Sequence, residues 1–278
     1  MGDVAELTRI LKLGADPHPQ DPHSSDFSAV ESAARNGHAE CLKILLSASG
    51  PDLDKAYALR IAAGSGHAEC VKLLISAASP CSANSNALSV AGFNGHAECV
   101  SLLLPISDPK ADNFLALRWA AAAGSVECVK LLLPASGSTL FNSEALALAA
   151  QNGHVECVKV ILPTVNPQQD NAHALRLAAA GRHADCVRLL LAAQAFLPEL
   201  QDVFSFALDE GHADIVAVML DCQPLLFARE DLSRRKAVAE AHGHAELAAL
   251  LSAVIEQRSL LNAALAPAAR SATPAPRL

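Results

Sequence analysis

A short motif that returns at a fixed interval constrains the fold of this chain more than any other feature. The string Gly-His-Ala-Glu-Cys and its close variants begin 29 residues apart along most of the 278-residue sequence. The starting residues are Gly37, Gly66, Gly95, Gly124, Gly153, Arg182 and Gly211, and Gly243 follows after a step of 32. The residue four positions before each start is always Ala, and the residue three positions after it is always Asp or Glu. Eight units in one register predict a repeat array, because one such unit cannot bury its own apolar face.

Each unit is predicted to fold into two short helices that are joined at the motif glycine. Apolar residues recur at helical spacing in the first segment, for example in Asn113–Ala123, and in the second, for example in Val126–Leu133. The glycine supplies the left-handed residue that ends a first helix. Stacked hairpins of this kind form an all-α fold, an α-solenoid of helix–turn–helix repeats. Where Arg182 replaces the glycine, we expect Gly181 to supply the left-handed residue one position early, with a local irregularity.

Asparagine and proline residues mark the predicted helix ends. Asparagine is a favoured N-cap residue, and it stands at the expected start of four first helices, at Asn84, Asn113, Asn142 and Asn171. Proline cannot continue a helix, and it follows the expected end of three second helices, at Pro105, Pro134 and Pro163. A second proline, such as Pro109, fixes the turn into the next unit.

The two ends of the chain differ from the array. We expect residues 1–23 to form a half-repeat and linker, residues 24–257 to hold the eight repeats, and residues 258–278 to form a disordered tail rich in Ala and Pro. The segment Glu246–Glu256 is predicted to be a helix that caps the array. Leu265–Leu278 contains three prolines and no apolar periodicity, which is typical of a disordered segment.

Composition and charge argue against several classes of function. The net charge is −8, whereas nucleic-acid-binding proteins normally carry a basic surface. The first residues include acids where a secretory signal needs basic ones, and no run of about 18 residues is apolar and free of charges. We therefore expect a cytoplasmic protein without nucleic-acid or membrane partners, although specialised delivery into a host cell would leave no such signal.

A second recurring pattern, His-x-x-Cys, raises the question of metal binding. It occurs at His38/Cys41, His67/Cys70, His96/Cys99, His154/Cys157 and His183/Cys186. A closed metal site needs four converging ligands, whereas these pairs are spaced one per repeat, about 10 Å apart. A thiol or metal buffer is therefore kept only as an alternative function, and we expect no metal or other cofactor. The cysteines of these pairs and Cys128 occupy the same position of the repeat and are called the ladder cysteines below. Cys81 and Cys222 lie outside this set and are the expected exposed thiols.

No catalytic motif is recognisable in the sequence. It lacks a Gly-x-Ser-x-Gly nucleophile motif, a phosphate-binding P-loop, a dinucleotide fingerprint and a His-Glu-x-x-His zinc motif. The motif acids Glu69 and Glu127 are expected to pair with Lys72 and Lys130 on a solvated helix face. We therefore expect no enzymatic activity.

The repeated strings resemble the ankyrin repeat. The pattern Ala-Ala-x-x-Gly-His-x-Glu-x-Val-Lys-Leu-Leu-Leu is present with small changes at Ala62–Ile75 and Ala149–Leu162, and Gly2–Pro17 is similar to the second half of one more repeat. Each unit is shorter than the usual length of about 33 residues, and strings such as Tyr57-Ala-Leu-Arg60 replace the family's Thr-Pro-Leu-His. We therefore expect short turns in place of the family's protruding β-hairpins. The resemblance also implies that the motif histidine bonds backbone groups of the turns.

The resemblance implies that the first helices line a concave side that binds a protein partner. Within these helices, the positions nine, six and two before the motif glycine change from unit to unit. The candidate partner-binding residues at these positions are Tyr57, Arg60, Ser89, Phe93, Leu115, Arg118, Glu144, Gln151, His173, Arg176, Asp202 and Asp209. Arginine recurs here in every second unit, where it could hold an acidic extended partner or bond carbonyls of the neighbouring turn.

The sequence as a whole predicts a non-catalytic protein–protein interaction module or scaffold, which we expect to be monomeric. An effector that acts inside a host cell by the same binding mechanism is a further alternative.

Overall fold

Helical hairpins make up the parts of the chain that the structure describes. In this computed structural model the described residues are 4–5, 8, 29–48, 55–77, 83–108, 114–137, 139–193, 200–223 and 229–270, without the side chains of 83–84, 167–171, 229–230 and 262–270. Most of the predicted half-repeat and linker of residues 1–23 lies outside them, as do Cys81, Asn113 and residues 271–278. No strand occurs among the described residues, and the predicted all-α class is confirmed.

The helices fall into two compact units, Met1–Ala174 and Leu175–Leu278. The first unit contains repeats 1 to 5, each with a first and a second helix. Their bounds are Ala29–Arg35 and Ala39–Ala48, Lys55–Gly64 and Ala68–Ala77, Ala83–Phe93 and Ala97–Leu103, Leu115–Ala122 and Val126–Ser136, and Thr139–Gln151 and Val155–Ile161. Within this unit, first helices pack against first helices and second helices against second helices of the neighbouring repeats.

The remaining repeats continue the same pattern. Repeat 6 consists of Pro167–Ala180, which contains the division between the units, and Ala184–Ala192. Repeat 7 consists of Leu200–Asp209 and Ala213–Cys222. Repeat 8 consists of Arg229–Ala241 and the long helix Ala245–Arg270.

The turn between the two helices explains why the motif keeps one alanine and one glycine. Gly66 has a left-handed φ of 79°. The backbone N–H of His67 donates to the carbonyl oxygen of Ala62 at 3.0 Å, which satisfies one of the free carbonyls at the end of the helix. Ala62 is fully buried, so a larger side chain at this position would overpack the junction between helices.

Arg182 differs from the expectation drawn from the sequence. Arg182 itself adopts the left-handed conformation, with a φ of 59°, whereas Gly181 does not. The N–H of His183 still donates to the carbonyl of Ala178 at 2.9 Å, as at the other turns. The prediction of a shifted turn was therefore wrong, because the hydrogen bonds of the turn hold the register even without glycine.

Four of the predicted helix ends were also wrong, the first of them Asn84, which is the second residue of the helix Ala83–Phe93. Asn142 lies inside the helix Thr139–Gln151, where its buried amide donates to Oγ1 of Thr164 at 3.0 Å instead of capping the helix. Asn171 likewise lies inside its helix. Pro134 lies inside a second helix that continues to Ser136 and ends at left-handed Gly137. By contrast, Pro105 and Pro163 occupy 3-10 turns directly after their second helices.

The last helix is longer than predicted. It runs from Ala245 to Arg270, so the expectation of disorder from residue 258 onward was wrong for residues 258–270. The segment is rich in Ala and Leu, which have the highest helix propensities, and this preference continues the helix beyond the repeat. Leu260 and Leu261 on this extension are exposed.

A pair of charged residues replaces a buried apolar residue on the first helix of repeat 8. In the seven earlier repeats, the position seven before the motif start holds an apolar side chain that is at most 2% exposed. These residues are Val30, Leu59, Leu88, Leu117, Leu146, Leu175 and Phe204. Repeat 8 has Lys236 there, and Lys236 Nζ lies 3.5 Å from Oε1 of Glu240 on the next turn. Charged residues here solvate a helix face whose counterpart in the seven earlier repeats is apolar and buried.

Replacing this pair by Lys236→Leu and Glu240→Ala is expected to make chains associate. The variant would expose an apolar helix face, and burying one leucine in a contact gains about 1.5–3 kcal/mol. Sedimentation velocity should show a larger species whose fraction rises with concentration. The matched control is Lys159→Leu with Glu156→Ala, which removes an ion pair of 2.6 Å from a second helix. Equal sedimentation of the variant, the control and the parent would contradict this role of the charges.

Candidate partner-binding surface

A histidine of one repeat bonds the end of the first helix of the repeat before it. The imidazole Nε2 lies within 3.0 Å of a backbone carbonyl oxygen two residues before the preceding motif glycine. The pairs are His67 with Arg35, His96 with Gly64, His154 with Ala122, and His244 with Asp209. The structural role that the resemblance implied for the motif histidine is therefore present at these four junctions, each of which lies within one unit.

Two junctions among the described residues lack this hydrogen bond. Ser125 stands in the place of the histidine in repeat 4, and its short side chain does not reach the carbonyl of Phe93. At the other junction, Arg182 has a Cβ where the other repeats have a glycine. His212 there packs edge-on against Phe206, with ring centroids 6.1 Å apart, and its buried Nδ1 has no hydrogen-bond partner.

The predicted partner-binding residues occupy the first helices, and most of them are accessible. Phe93, Glu144, Gln151, His173, Arg176, Asp202 and Asp209 are exposed, and Tyr57, Arg60, Leu115 and Arg118 are partly exposed. Ser89 is an exception, because it is only 4% exposed and its hydroxyl donates to the carbonyl of Ser85 at 2.9 Å. Its inclusion among the candidates was wrong, since a buried side chain cannot contact a partner. The accessible residues together are called the first-helix surface below.

Two arginines of the predicted row make different contacts. The guanidinium of Arg60 lies over the ring of Tyr57, 4.8 Å from its centroid. Nε of Arg118 lies 3.1 Å from Oε2 of Glu144 in the next repeat, but its N–H is not directed at that oxygen, so the contact is an ion pair and not a hydrogen bond. Neither arginine bonds a turn carbonyl, because aromatic and acidic neighbours lie within reach. An ion pair this exposed contributes at most about 1 kcal/mol.

An exposed aromatic pair lies at the junction of repeats 3 and 4. Phe93 is 50% exposed and Trp119 is 37% exposed, and their rings meet edge to face with centroids 5.8 Å apart. The sequence pattern predicts a binding role for Phe93 but not for Trp119. The available signal was that the only tryptophan of the chain stands five residues before a motif glycine, where most other repeats have an aliphatic residue such as Leu148.

A sequence model of ankyrin repeats, in three copies, matches residues 2–84, 59–140 and 117–202. The chain belongs to the ankyrin-repeat family. No curated protein matches it. The match ends at residue 202, near the start of repeat 7. Repeats 7 and 8 of this ankyrin-repeat chain nevertheless keep the left-handed Gly211 and Gly243 and the contact of His244 with Asp209.

The second helices of the ankyrin repeats expose a charged face. The predicted ion pairs are present, with Lys72 Nζ 2.6 Å from Oε1 of Glu69 and Lys130 Nζ 2.6 Å from Oε1 of Glu127. Lys72 also lies 3.6 Å from Glu98 of the next repeat. Among the described residues, no helix combines the length and the apolar character that crossing a bilayer requires.

The ladder cysteines are core residues. Their exposed fraction ranges from 0% to 7% for Cys41, Cys70, Cys99, Cys128, Cys157 and Cys186. The histidines of the same motifs bond carbonyls of the preceding repeat at the junctions described above, so the two side chains serve different contacts. The described residues contain no cluster of three or more potential metal ligands.

Burial also lowers the reactivity of these thiols. It raises the pKa of Cys99, Cys128 and Cys157 to about 11, and neighbouring acids such as Glu98 add to the effect. Because the thiolate is the reactive form, a buried thiol of high pKa reacts slowly. Cys222, the last residue of its helix, is partly exposed.

We expect the six ladder thiols to react with Ellman's reagent only after unfolding. The absorbance of the thiol that the reagent releases measures the labelling. Under native conditions the fast phase should not include these six cysteines, whereas in denaturant all eight cysteines should be labelled. Mass spectrometry of a brief native reaction should place label on Cys222. A Cys222→Ser variant serves as the control, since it removes the label from that peptide. Native labelling of Cys128 at the rate of Cys222 would support the alternative of a thiol buffer.

Proposed function

We propose that this ankyrin-repeat chain is a non-catalytic module that binds a protein partner on its first-helix surface. Ankyrin repeats are generally protein–protein interaction modules. The observation that supports the choice of surface is the difference in burial between the constant and the variable positions of the first helices. Positions that keep Ala and Leu are buried, as at Leu175 and Ala178, whereas the neighbouring variable positions are exposed, as at His173 and Arg176.

The chemistry of the first-helix surface suits a protein partner. In the first unit it presents the aromatic rings of Phe93 and Trp119, which are the residue types that dominate binding energy at protein interfaces. In the second unit it presents the charged side chains Arg176, Asp202 and Asp209.

Two matched triple variants test this surface. The first-helix variant carries Arg176→Ala, Asp202→Ala and Asp209→Ala. The control carries Asp185→Ala, Arg188→Ala and Asp221→Ala on second helices, so it removes the same residue types from exposed positions of the same repeats. Proteins cross-linked to the parent chain in cells of its source would be identified by mass spectrometry, and their binding to purified variants would then be measured.

The expected result is a partner that binds the parent and the control but is weakened by about tenfold or more in the first-helix variant. Circular dichroism must show equal helix content in all three proteins. A partner that binds all three equally, or that is lost only from the control, would contradict the choice of surface.

A further inference from the structure

The junction of repeats 3 and 4 has an open backbone acceptor beside a serine. At the four junctions with the histidine bond, the imidazole donates to the carbonyl two residues before the motif glycine, as His154 does to Ala122 at 3.0 Å. At this junction the corresponding carbonyl belongs to Phe93, and the described residues donate no hydrogen bond to it. The hydroxyl of Ser125, which stands in place of the histidine, also has no hydrogen-bond partner among them.

The space that an imidazole fills elsewhere is open at this junction. A methyl group placed on Gly66 or Gly124 would lie 2.6 Å from Nδ1 of the next histidine. A methyl group placed on Gly95 would instead have only Ser125 within 4 Å, with Oγ at 3.2 Å and Cβ at 3.9 Å. The open space, the carbonyl and the hydroxyl therefore belong to the same junction of repeats as the exposed pair of Phe93 and Trp119.

We propose that this junction is a subsite for an arginine side chain of the protein partner. The inference rests on the proposed function and names the chemistry of one contact within it. The guanidinium would lie on the exposed aromatic rings and donate N–H groups to the carbonyl of Phe93 and the hydroxyl of Ser125. The subsite is called the Ser125 junction below.

Guanidinium fits these groups better than other side chains do. It is planar, it stacks on aromatic faces, and it carries five N–H donors that can bond the open carbonyl and the hydroxyl oxygen. Cation–π contacts are strongest on tryptophan. The net charge of −8 favours a cationic partner over an acidic one.

The chain itself contains an arginine in such surroundings. The guanidinium of Arg235 lies 5.2 Å from the ring centroid of Phe204, and its Nη1 donates to Oγ of Ser205 at 3.0 Å. Nε of Arg235 also donates to Oδ2 of Asp231 at 2.9 Å, so an aromatic ring and a serine hydroxyl on a first helix hold this guanidinium together with a carboxylate. The Ser125 junction offers the same two groups with no arginine among the described residues to occupy them.

The single tryptophan makes this subsite directly observable. Trp119 provides the only indole resonance and the only tryptophan fluorescence of the chain. Titration with acetyl-arginine amide should shift the indole N–H resonance and change the emission. Acetyl-citrulline amide has the same shape without the charge and should bind several-fold more weakly, because it loses the cation–π contact. Acetyl-leucine amide that binds as tightly as the arginine probe would overturn the assignment in favour of an apolar ligand.

Ser125→His is the decisive variant, because it should remove binding without harming the fold. The new imidazole would occupy the open space and donate to the carbonyl of Phe93, as His154 does to Ala122. We expect a higher urea midpoint together with a loss of arginine-probe binding of about tenfold or more. Unchanged probe binding to this variant would overturn the proposal.

The matched control opens another junction without providing the aromatic pair. His154→Ser should free the carbonyl of Ala122, and we expect it to leave arginine binding at Trp119 unchanged. A comparison with the partner itself separates the two proposals. A partner that is lost from the first-helix variant but binds the Ser125→His variant as tightly as the parent would overturn the arginine subsite and leave the proposed function in place. A partner that binds every variant equally would refute the proposed surface, while the probe titration would still decide the subsite.

Discussion

Replacing Gly124 by alanine is expected to destabilise the protein by about 3 kcal/mol, which is large for the addition of one methyl group. Gly124 has a φ of 73°, and an L-residue in the left-handed region costs about 1–2 kcal/mol. The new Cβ would also lie 2.6 Å from Nδ1 of His154, which is too close for the ring to stay in place. Moving the ring breaks its hydrogen bond to Ala122, at a further cost of about 1–2 kcal/mol.

Gly243→Ala separates the two effects. Gly243 has a similar φ of 78°, but a methyl group there would have no atom within 4 Å. Only the backbone cost applies, so we expect a loss of about 1–2 kcal/mol. Urea unfolding followed by circular dichroism would give both values. If the two variants lose equal stability, the contact with His154 is not the reason for glycine at this position.

Arg182 shows how the chain tolerates the same substitution. It has a left-handed φ of 59° and carries the Cβ that the other repeats avoid. As the steric argument requires, His212 of the next repeat makes no hydrogen bond to a carbonyl of repeat 6. Nη2 of Arg182 instead lies 3.2 Å from Oδ1 of Asp214, so an exposed ion pair partly replaces the lost contact.

The fold was largely predictable because the repeat encodes its own packing. The interval of 29 residues fixed the number of hairpins, and the fixed alanine and glycine located the turns. The ion pair of Glu69 with Lys72 was equally predictable, because it depends only on local helix spacing. Local rules of this kind operate within one hairpin and need no knowledge of the neighbouring repeats.

Features that depend on contacts between repeats, or on competing local preferences, were harder to predict. Asn142 was proposed as a cap, but a hydrogen bond to Thr164 and burial place it inside the helix. Arg118 pairs with Glu144, which lies 26 residues away in the next repeat. The helix that continues to Arg270 reflects a helix propensity that outweighed the composition expected of a tail.

The candidate surface was likewise predictable in its local features but not in those that depend on contacts between repeats. The register of the repeat located the variable positions within the first helices, but it did not show which of their side chains are accessible to solvent. Ser89 is buried, and Trp119 is exposed at a position that the register had not marked as variable. The open carbonyl of Phe93 could be inferred only after the structure showed what the motif histidines do elsewhere.

Raising the pH through about 11 is expected to unfold the array, because the buried thiols must then ionise. Burial is the main reason that the pKa of Cys99, Cys128 and Cys157 rises from 9.0 to about 11 on folding. The unfolded chain releases these protons at lower pH than the folded chain does. Their contribution to stability is therefore complete below pH 9.0 and is lost as the pH rises to about 11. It amounts to roughly 3 kcal/mol for one such thiol, which is a large fraction of the total stability of a typical domain.

Valine substitutions distinguish this effect from other alkaline titrations. The same register position holds Ile215 and Leu247 in repeats 7 and 8, and both are fully buried, so the core accepts larger aliphatic side chains there. A variant with Cys99→Val, Cys128→Val and Cys157→Val should lose much less stability between pH 9.0 and about 11 than the parent, as measured by urea unfolding under reducing conditions. Lysine deprotonation contributes to both proteins and cancels in the comparison. Equal alkaline losses in the two proteins would show that the ladder thiols do not control stability, and the cysteines would then be ordinary small core residues.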